Sequence, residues 1–263
     1  MMRPRQVGGL LALTLVLLWA AGCASSPERG SPDEGKNQAQ IYLELGTAHL
    51  RQGKPRKALE KLKEARSLKD DDPRIHNVMG LTYQRLGFDQ KAQQAFEQAL
   101  GLDAKNPQVL NNFGTFLAQN GSYERARKQF RKALEDPLYN RPENAYYNLA
   151  WLARRQGEAD KAEEMLRTAL ELRAEYPPAR LELARLLRDQ GRPSQARDQV
   201  ARLLGRNPES VSGHLLAGEL ALEAGEDQTA RKHLTKVAEL APESQAATRA
   251  QRMMEELAGR QGS

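Results

Sequence analysis

Residues 79–96 read Met79-Gly80-Leu81-Thr82-Tyr83-Gln84-Arg85-Leu86-Gly87-Phe88-Asp89-Gln90-Lys91-Ala92-Gln93-Gln94-Ala95-Phe96. Four positions organise this stretch: a small residue, a glycine seven residues on, an alanine five beyond that, and a bulky apolar residue four further. The same frame recurs along the chain. The glycines are Gly53, Gly87, Gly121, Gly157, Gly191 and Gly225, spaced by 34, 34, 36, 34 and 34 residues. Gly46, Gly80, Gly114, Ala150, Ala184 and Gly218 hold the small position. The alanines are Ala58, Ala92, Ala126, Ala162, Ala196 and Ala230, and the bulky residues Leu62, Phe96, Phe130, Leu166, Val200 and Leu234. The frame predicts six helix pairs, each turning at a glycine that takes positive φ without steric cost. Small residues on the first helix and alanines on the second let the two backbones approach. The bulky residue is expected to fill the gap between successive units, and stacking supplies a core that no single pair could bury.

A period of 34 with this spacing is similar to the tetratricopeptide (TPR) repeat. The fold expected is all-α, a right-handed solenoid of six TPR helix pairs over residues 39–72, 73–106, 107–142, 143–176, 177–210 and 211–243. Pro73, Pro107, Pro142, Pro177, Pro208 and Pro242 sit between units, where they stop one helix or open the next. Residues 244–258 place Ala247, Ala250, Met254 and Leu257 on one face, which predicts a helix capping the last repeat, with 260–263 as a frayed tail. Composition agrees. The 263 residues are 40% hydrophobic, 28% charged and only 5% aromatic, a helical balance and a poor one for strands. A single cysteine excludes an internal disulfide framework and a cysteine-based metal site.

The first 22 residues have the layout of a targeting signal. Arg3 and Arg5 precede an apolar run over residues 7–21 that ends in small residues and falls short of the ~20 needed to span a bilayer. Ala20-Ala21-Gly22-Cys23 resembles a bacterial lipobox, in which the cut falls before the cysteine and the new N-terminal Cys23 carries lipid. Ala24, rather than Asp, follows Cys23, which in lipoproteins of this kind implies outer-membrane sorting. Acyl chains on Cys23 would make the protein lipid-anchored at the periplasmic face. Residues 23–38 are polar and turn-rich and read as a flexible tether reaching about 20 Å. A periplasmic location argues against nucleic acid or nucleotide as partner.

The period lengthens to 36 once, around Pro137-Leu138-Tyr139-Asn140-Arg141-Pro142, ahead of Asn144-Ala145-Tyr146-Tyr147-Asn148-Leu149-Ala150-Trp151. This block holds the insertion and the densest aromatics in the chain. The pattern of Pro137, Leu138, Tyr139, Pro142, Ala145, Tyr146, Asn148 and Leu149, with Asn111-Asn112-Phe113-Gly114 before it, resembles the type IV pilus pilotin lipoproteins of the PilF/PilW and Tgl type. The resemblance extends to the layout of signal, lipobox, tether, six repeats and terminal helix. It implies a non-enzymatic function: binding secretin (PilQ-like) subunits and promoting their outer-membrane targeting and multimerisation. Outer-membrane lipid is then the second partner, through Cys23. The alternative is a general periplasmic adaptor recruiting cell-wall hydrolases, proteases or barrel-assembly components.

In a TPR array the partner lies in a groove lined by the first helix of each pair. Helical periodicity puts Asn77, Leu81, Asn111, Thr115, Tyr147 and Trp151 there, with Asn112 and Asn148 alongside. Asparagine amides can bind a partner's backbone with both donor and acceptor, and Tyr and Trp commonly anchor interfaces. Tyr146, Phe113 and Phe116 are expected in the core, and Tyr147 and Trp151 are divided between groove and inter-repeat packing. Leu138 and Tyr139 in the insert are read either as a docking knob or as a plug. Carboxylate-clamp TPR domains use lysine where this chain has Leu43, Asn77, Asn111, Tyr147, Leu181 and Leu215, so such recognition is not expected. His49, His76, His214 and His233 are scattered in sequence, so no metal site or catalytic base is expected, and no cofactor is implied.

Overall fold

A computed structural model describes residues 32–261. The expected signal peptide, the lipidation candidate Cys23 and the start of the expected tether lie outside the described residues. Among those described there are thirteen helices in six pairs plus one. The pairs are α1 (Pro32–Arg51) with α2 (Pro55–Leu68), α3 (Pro73–Arg85) with α4 (Asp89–Leu102), and α5 (Pro107–Gln119) with α6 (Tyr123–Leu134). They continue as α7 (Pro142–Arg155) with α8 (Ala159–Leu172), α9 (Pro177–Asp189) with α10 (Pro193–Arg206), and α11 (Val211–Glu223) with α12 (Asp227–Leu240), before the terminal α13 (Gln245–Gln261). Each helix packs on its pair partner and on the neighbouring units, as a solenoid requires. Among the described residues no helix is long and apolar enough to cross a membrane.

The turn glycines behave as their spacing predicts. All six have φ between 70° and 76°. At each turn the residue after the glycine donates its N–H to a carbonyl five residues back, as in Phe88 to Tyr83 at 2.9 Å and Ser122 to Leu117 at 2.8 Å. That six-to-one bond closes the first helix in a Schellman motif. The far ends are fixed by prolines that open α3, α5, α7 and α9 at their first residue. Where the proline falls three residues before the helix, at 208 and 242, a serine takes over. Ser210 accepts from Gly213 N–H and Ser244 from Ala247 N–H, each at 3.1 Å.

The bulky residues do more than fill the gap between units. Where the small residue is glycine, the bulky residue lies directly over it: a Cβ added to Gly80 would stand 2.8 Å from the Phe96 ring, and one on Gly218 would stand 2.7 Å from Leu234. Phe96 also reaches the next unit, with ring centroids 5.6 Å from Phe113 and 5.7 Å from Phe116. Both of the latter are core residues, as expected.

Two boundaries differ from the sequence reading. α1 begins at Pro32, so residues 32–38 of the expected tether are helical. Proline is tolerated in a first turn. Nothing apolar marks these turns: residues 36–38 are exposed, and burial starts at Ala39. At the other end α13 buries Ala247, Ala250 and Leu257 against α11 and α12, and it extends to Gln261 into the expected tail.

Candidate partner-binding groove

The asparagines of the central units form a ladder. Asn112 Nδ2 donates to Asn77 Oδ1 at 3.1 Å, joining α5 to α3. Asn148 Nδ2 donates to Asn111 Oδ1 at 3.1 Å and lies 3.2 Å from Thr115 Oγ1, joining α7 to α5. Gln108 donates to Asn112 Oδ1, and the Thr115 hydroxyl donates to the Asn111 carbonyl. These bonds put the residues on one face across three repeats. They also spend amide groups expected to be open to a partner. Asn77 and Asn111 are buried, while Asn112, Thr115 and Asn148 are half-buried. Leu81 is half-buried against the Phe96–Phe113 cluster.

Tyr147 and Trp151 divide between packing and surface. The Tyr147 ring meets Tyr176 edge-on with centroids 5.8 Å apart, and burial, helped by the Glu182 carboxylate, raises its hydroxyl pKa. Tyr176 donates to Asn144 Oδ1 at 2.8 Å, and burial, with Tyr147 next, pushes its pKa up to about 12. Trp151 turns the other way, edge-on to Tyr123 at 6.1 Å, with the Arg155 guanidinium 4.9 Å from its ring. Tyr147 and Trp151 both keep part of their surface exposed. Tyr146 is half-buried against the core of the fourth and fifth units.

The insert separates its two candidates. Leu138 is 87% exposed, its N–H held by Asp136 at 2.8 Å. Tyr139 is buried, and its hydroxyl has no hydrogen-bond partner. Tyr139 is therefore a plug and not a docking residue: the two extra residues let the chain fold its ring back into the core beside Ala145. Burial, with the nearby Glu143 carboxylate, raises the Tyr139 pKa well above the ordinary tyrosine range.

Toward the C-terminal end the same face carries ions. Glu182 stands nine residues before its turn glycine, as Asn112 and Asn148 do, and Glu219 stands six before, as Thr115 and Trp151 do. Arg154 bonds both Glu182 and Asp189. Arg188 bonds Glu219 at 2.5 Å and Asp189 at 3.3 Å, and Arg249 of α13 reaches Glu219 at 3.0 Å. Burial works against the Arg154 and Arg188 charges, but their bonded carboxylates outweigh it and raise both pKa values. The sequence reading missed this half because it followed the position ten before the glycine, which is Leu181 and Leu215 here. The signal available was the glutamates one and four residues further along the helix.

The histidines are less scattered than their numbering implies. His214 and His233 face each other across the last pair, Nδ1 to Nδ1 at 2.9 Å. His214 Nε2 is 2.9 Å from the Pro208 carbonyl, so it carries the proton, and His233 donates to His214. Among the described residues no group of three or more metal-ligating side chains comes together.

Tetratricopeptide repeat family models match residues 43–107, 106–175 and 153–220, together more than half of the chain. Among solved structures, PilF of Pseudomonas aeruginosa is 25% identical with a TM-score of 0.71, the match covering 84% of this chain and 98% of that one. PilW, described as a widely conserved type IV pilus biogenesis factor, is 26% identical with a TM-score of 0.71, covering 80% of this chain and 96% of that one. A tetratricopeptide repeat protein from Parabacteroides merdae shares the fold at 20% identity and a TM-score of 0.65, covering 82% and 84%. Among curated proteins no sequence match is found. Turn glycines, stacked helix pairs and matching repeat models agree, and the chain belongs to the tetratricopeptide repeat family.

Proposed function

We propose that this protein is an outer-membrane, lipid-anchored pilotin of type IV pilus biogenesis. It binds secretin subunits through its groove and promotes their delivery and multimerisation, without catalysis. The observation that carries this reading is the end-to-end likeness to PilF and PilW, which covers 98% and 96% of those chains at 25–26% identity. The insert motif and the lipobox at Cys23 support it from the sequence. The groove supplies two surfaces for a partner segment. Half-exposed Tyr147 and Trp151 offer apolar area with few rotamers to freeze. The paired ions from Arg154 to Arg249 offer a rim that is charged but internally neutralised.

The test is affinity capture of the tagged chain from detergent-solubilised outer membranes, with mass spectrometry of what accompanies it. Secretin is expected with the native protein and lost with Y147A/W151A, whose fold is checked by circular dichroism. Capture of a hydrolase, protease or barrel-assembly component instead of a secretin would move the function to the general adaptor.

A further inference from the structure

Seven arginines among the described residues are half-buried: Arg127, Arg154, Arg180, Arg185, Arg188, Arg192 and Arg197. Six of them have a carboxylate within ion-pair distance, as Arg192 has Glu163 at 2.6 Å and Arg197 has Glu226 at 3.3 Å. Arg180 does not. Its guanidinium bonds only neutral groups, Gln199 Oε1 at 3.0 Å and the Ala174 carbonyl. The charges that act on it are a cation, Arg202, and the Glu175 carboxylate, which it does not bond. Burial, with Arg202 next, outweighs the Glu175 carboxylate and lowers the Arg180 pKa, the opposite of Arg154 and Arg188.

The two arginines line one cavity of about 480 Å³ within the fifth repeat, between the start of α9 and the end of α10. Arg206, one turn beyond Arg202, stands at its rim. Glu175 is the single carboxylate in the lining, and it bonds Arg206 at 2.8 Å. Three guanidiniums therefore face one carboxylate, which is bonded to Arg206, and a half-buried cation without a bonded counter-charge is costly unless an anion is supplied. Guanidinium forks match phosphate oxygens in geometry as well as charge.

The geometry points to an anion site in the fifth repeat, in which Arg180 and Arg202, with Arg206 at the rim, take a phosphate group. The group is either free phosphate or the headgroup of an anionic phospholipid. The second source has an apolar companion nearby, since Leu172, two residues before Ala174, is an exposed large hydrophobic residue on the same connecting edge. This site is separate from the groove and does not rest on the secretin reading.

Titration calorimetry of the full chain with inorganic phosphate, in chloride buffer, tests it. Saturable binding is expected, weakened about tenfold or more by R180Q and by R202Q and unchanged by R131Q, which alters an exposed arginine of α6. Arg202 is exposed and makes no ion pair among the described residues, so R202Q keeps the fold and is the deciding variant. Absence of saturable binding, or binding in R202Q equal to the native protein, overturns the site. Flotation with phosphatidylcholine vesicles with and without phosphatidylglycerol then assigns the source. If the phosphatidylglycerol-dependent gain falls in both R202Q and L172S, the site takes a lipid headgroup. If inorganic phosphate binding falls in R202Q while that gain is unchanged, the site takes free phosphate.

Discussion

Replacing Gly114 by alanine tests what holds each helix pair together. A Cβ on Gly114 would lie 2.6, 2.8 and 3.1 Å from Cε1, Cδ1 and Cζ of Phe130. Phe130 is fully buried, so its ring cannot swing into solvent. Relief must come from moving α5 off α6, a strain of about 1–3 kcal/mol. Alanine's better helix propensity offsets this by about 1 kcal/mol, leaving a net loss of about 1 kcal/mol. Gly101 is the control: it lies within α4, and a Cβ there meets nothing within 4 Å. G101A gains propensity alone, so the two alanines should differ by about 1–3 kcal/mol in urea unfolding followed by circular dichroism.

The chain contains its own compensating pair. Phenylalanine stands over glycine in Gly80/Phe96 and Gly114/Phe130 and leucine over glycine in Gly46/Leu62 and Gly218/Leu234, whereas the alanines Ala150 and Ala184 stand only with the smaller Leu166 and Val200. F130L in the G114A background imitates Ala150/Leu166 and should recover part of the loss, with a coupling of about 0.5–3 kcal/mol in the double-mutant cycle. If G114A is as stable as G101A, or if the F130L penalty simply adds to it, the close-approach argument fails. The stake extends to the groove, because α5 also carries Asn111, Asn112 and Thr115.

Y139F removes a buried hydroxyl that has no partner, so the variant should be as stable as the native protein or up to about 1–2 kcal/mol more stable by urea midpoint; a clear loss would show that the hydroxyl is satisfied. Burial, then His214 and Lys232, hold His233 below the ordinary histidine pKa of about 6.5. The unfolded chain therefore binds the proton more readily, and stability present above about pH 6.5 is lost as pH falls through the folded value. Unfolding midpoints of native protein and H233Q at pH 7.5 and 5.5 should show a smaller pH loss in H233Q; an equal loss in both would remove the histidine pair as the cause.

The repeat was legible because its signals are local. A glycine at positive φ, a proline in a first turn and a small residue under a bulky one each depend on neighbours within a single helix pair. Leu138 and Tyr139 are adjacent in sequence yet have opposite fates, since which of them turns inward depends on the path of the insert. The terminal cap followed from Ala247, Ala250 and Leu257 on one face, whereas the helical residues 36–38 bury nothing and left no apolar pattern. The fate of the asparagines was hidden for another reason. Their partners lie in the next unit, at an offset that the period alone does not give.

That offset can be stated. Asn77 meets Asn112, Gln84 meets Gln119 and Arg154 meets Asp189, each 35 residues apart, and Asn111 meets Asn148 at 37 across the 36-residue unit. Neighbouring first helices thus pair one residue beyond the period. The position ten before each turn glycine faces the position nine before the next. Through the array these pairs are Leu43/Val78, Asn77/Asn112, Asn111/Asn148, Tyr147/Glu182 and Leu181/Leu216. The first and last pairs each join a single hydrophobic cluster, so the amide pairs occupy junctions that apolar pairs can also serve. Replacing both partners of a hydrogen bond by apolar groups of similar shape can be nearly neutral. N77L/N112V, which imitates Leu43/Val78, should therefore unfold within about 1 kcal/mol of the native protein, while N112V alone strands the buried Asn77 carbonyl and should cost about 1–3 kcal/mol. If the double variant is stable but captures no secretin, the amides at this junction serve the partner. If it is stable and captures secretin normally, they serve only the stacking, and the recognition surface contracts to Tyr147, Trp151 and the ions beyond them.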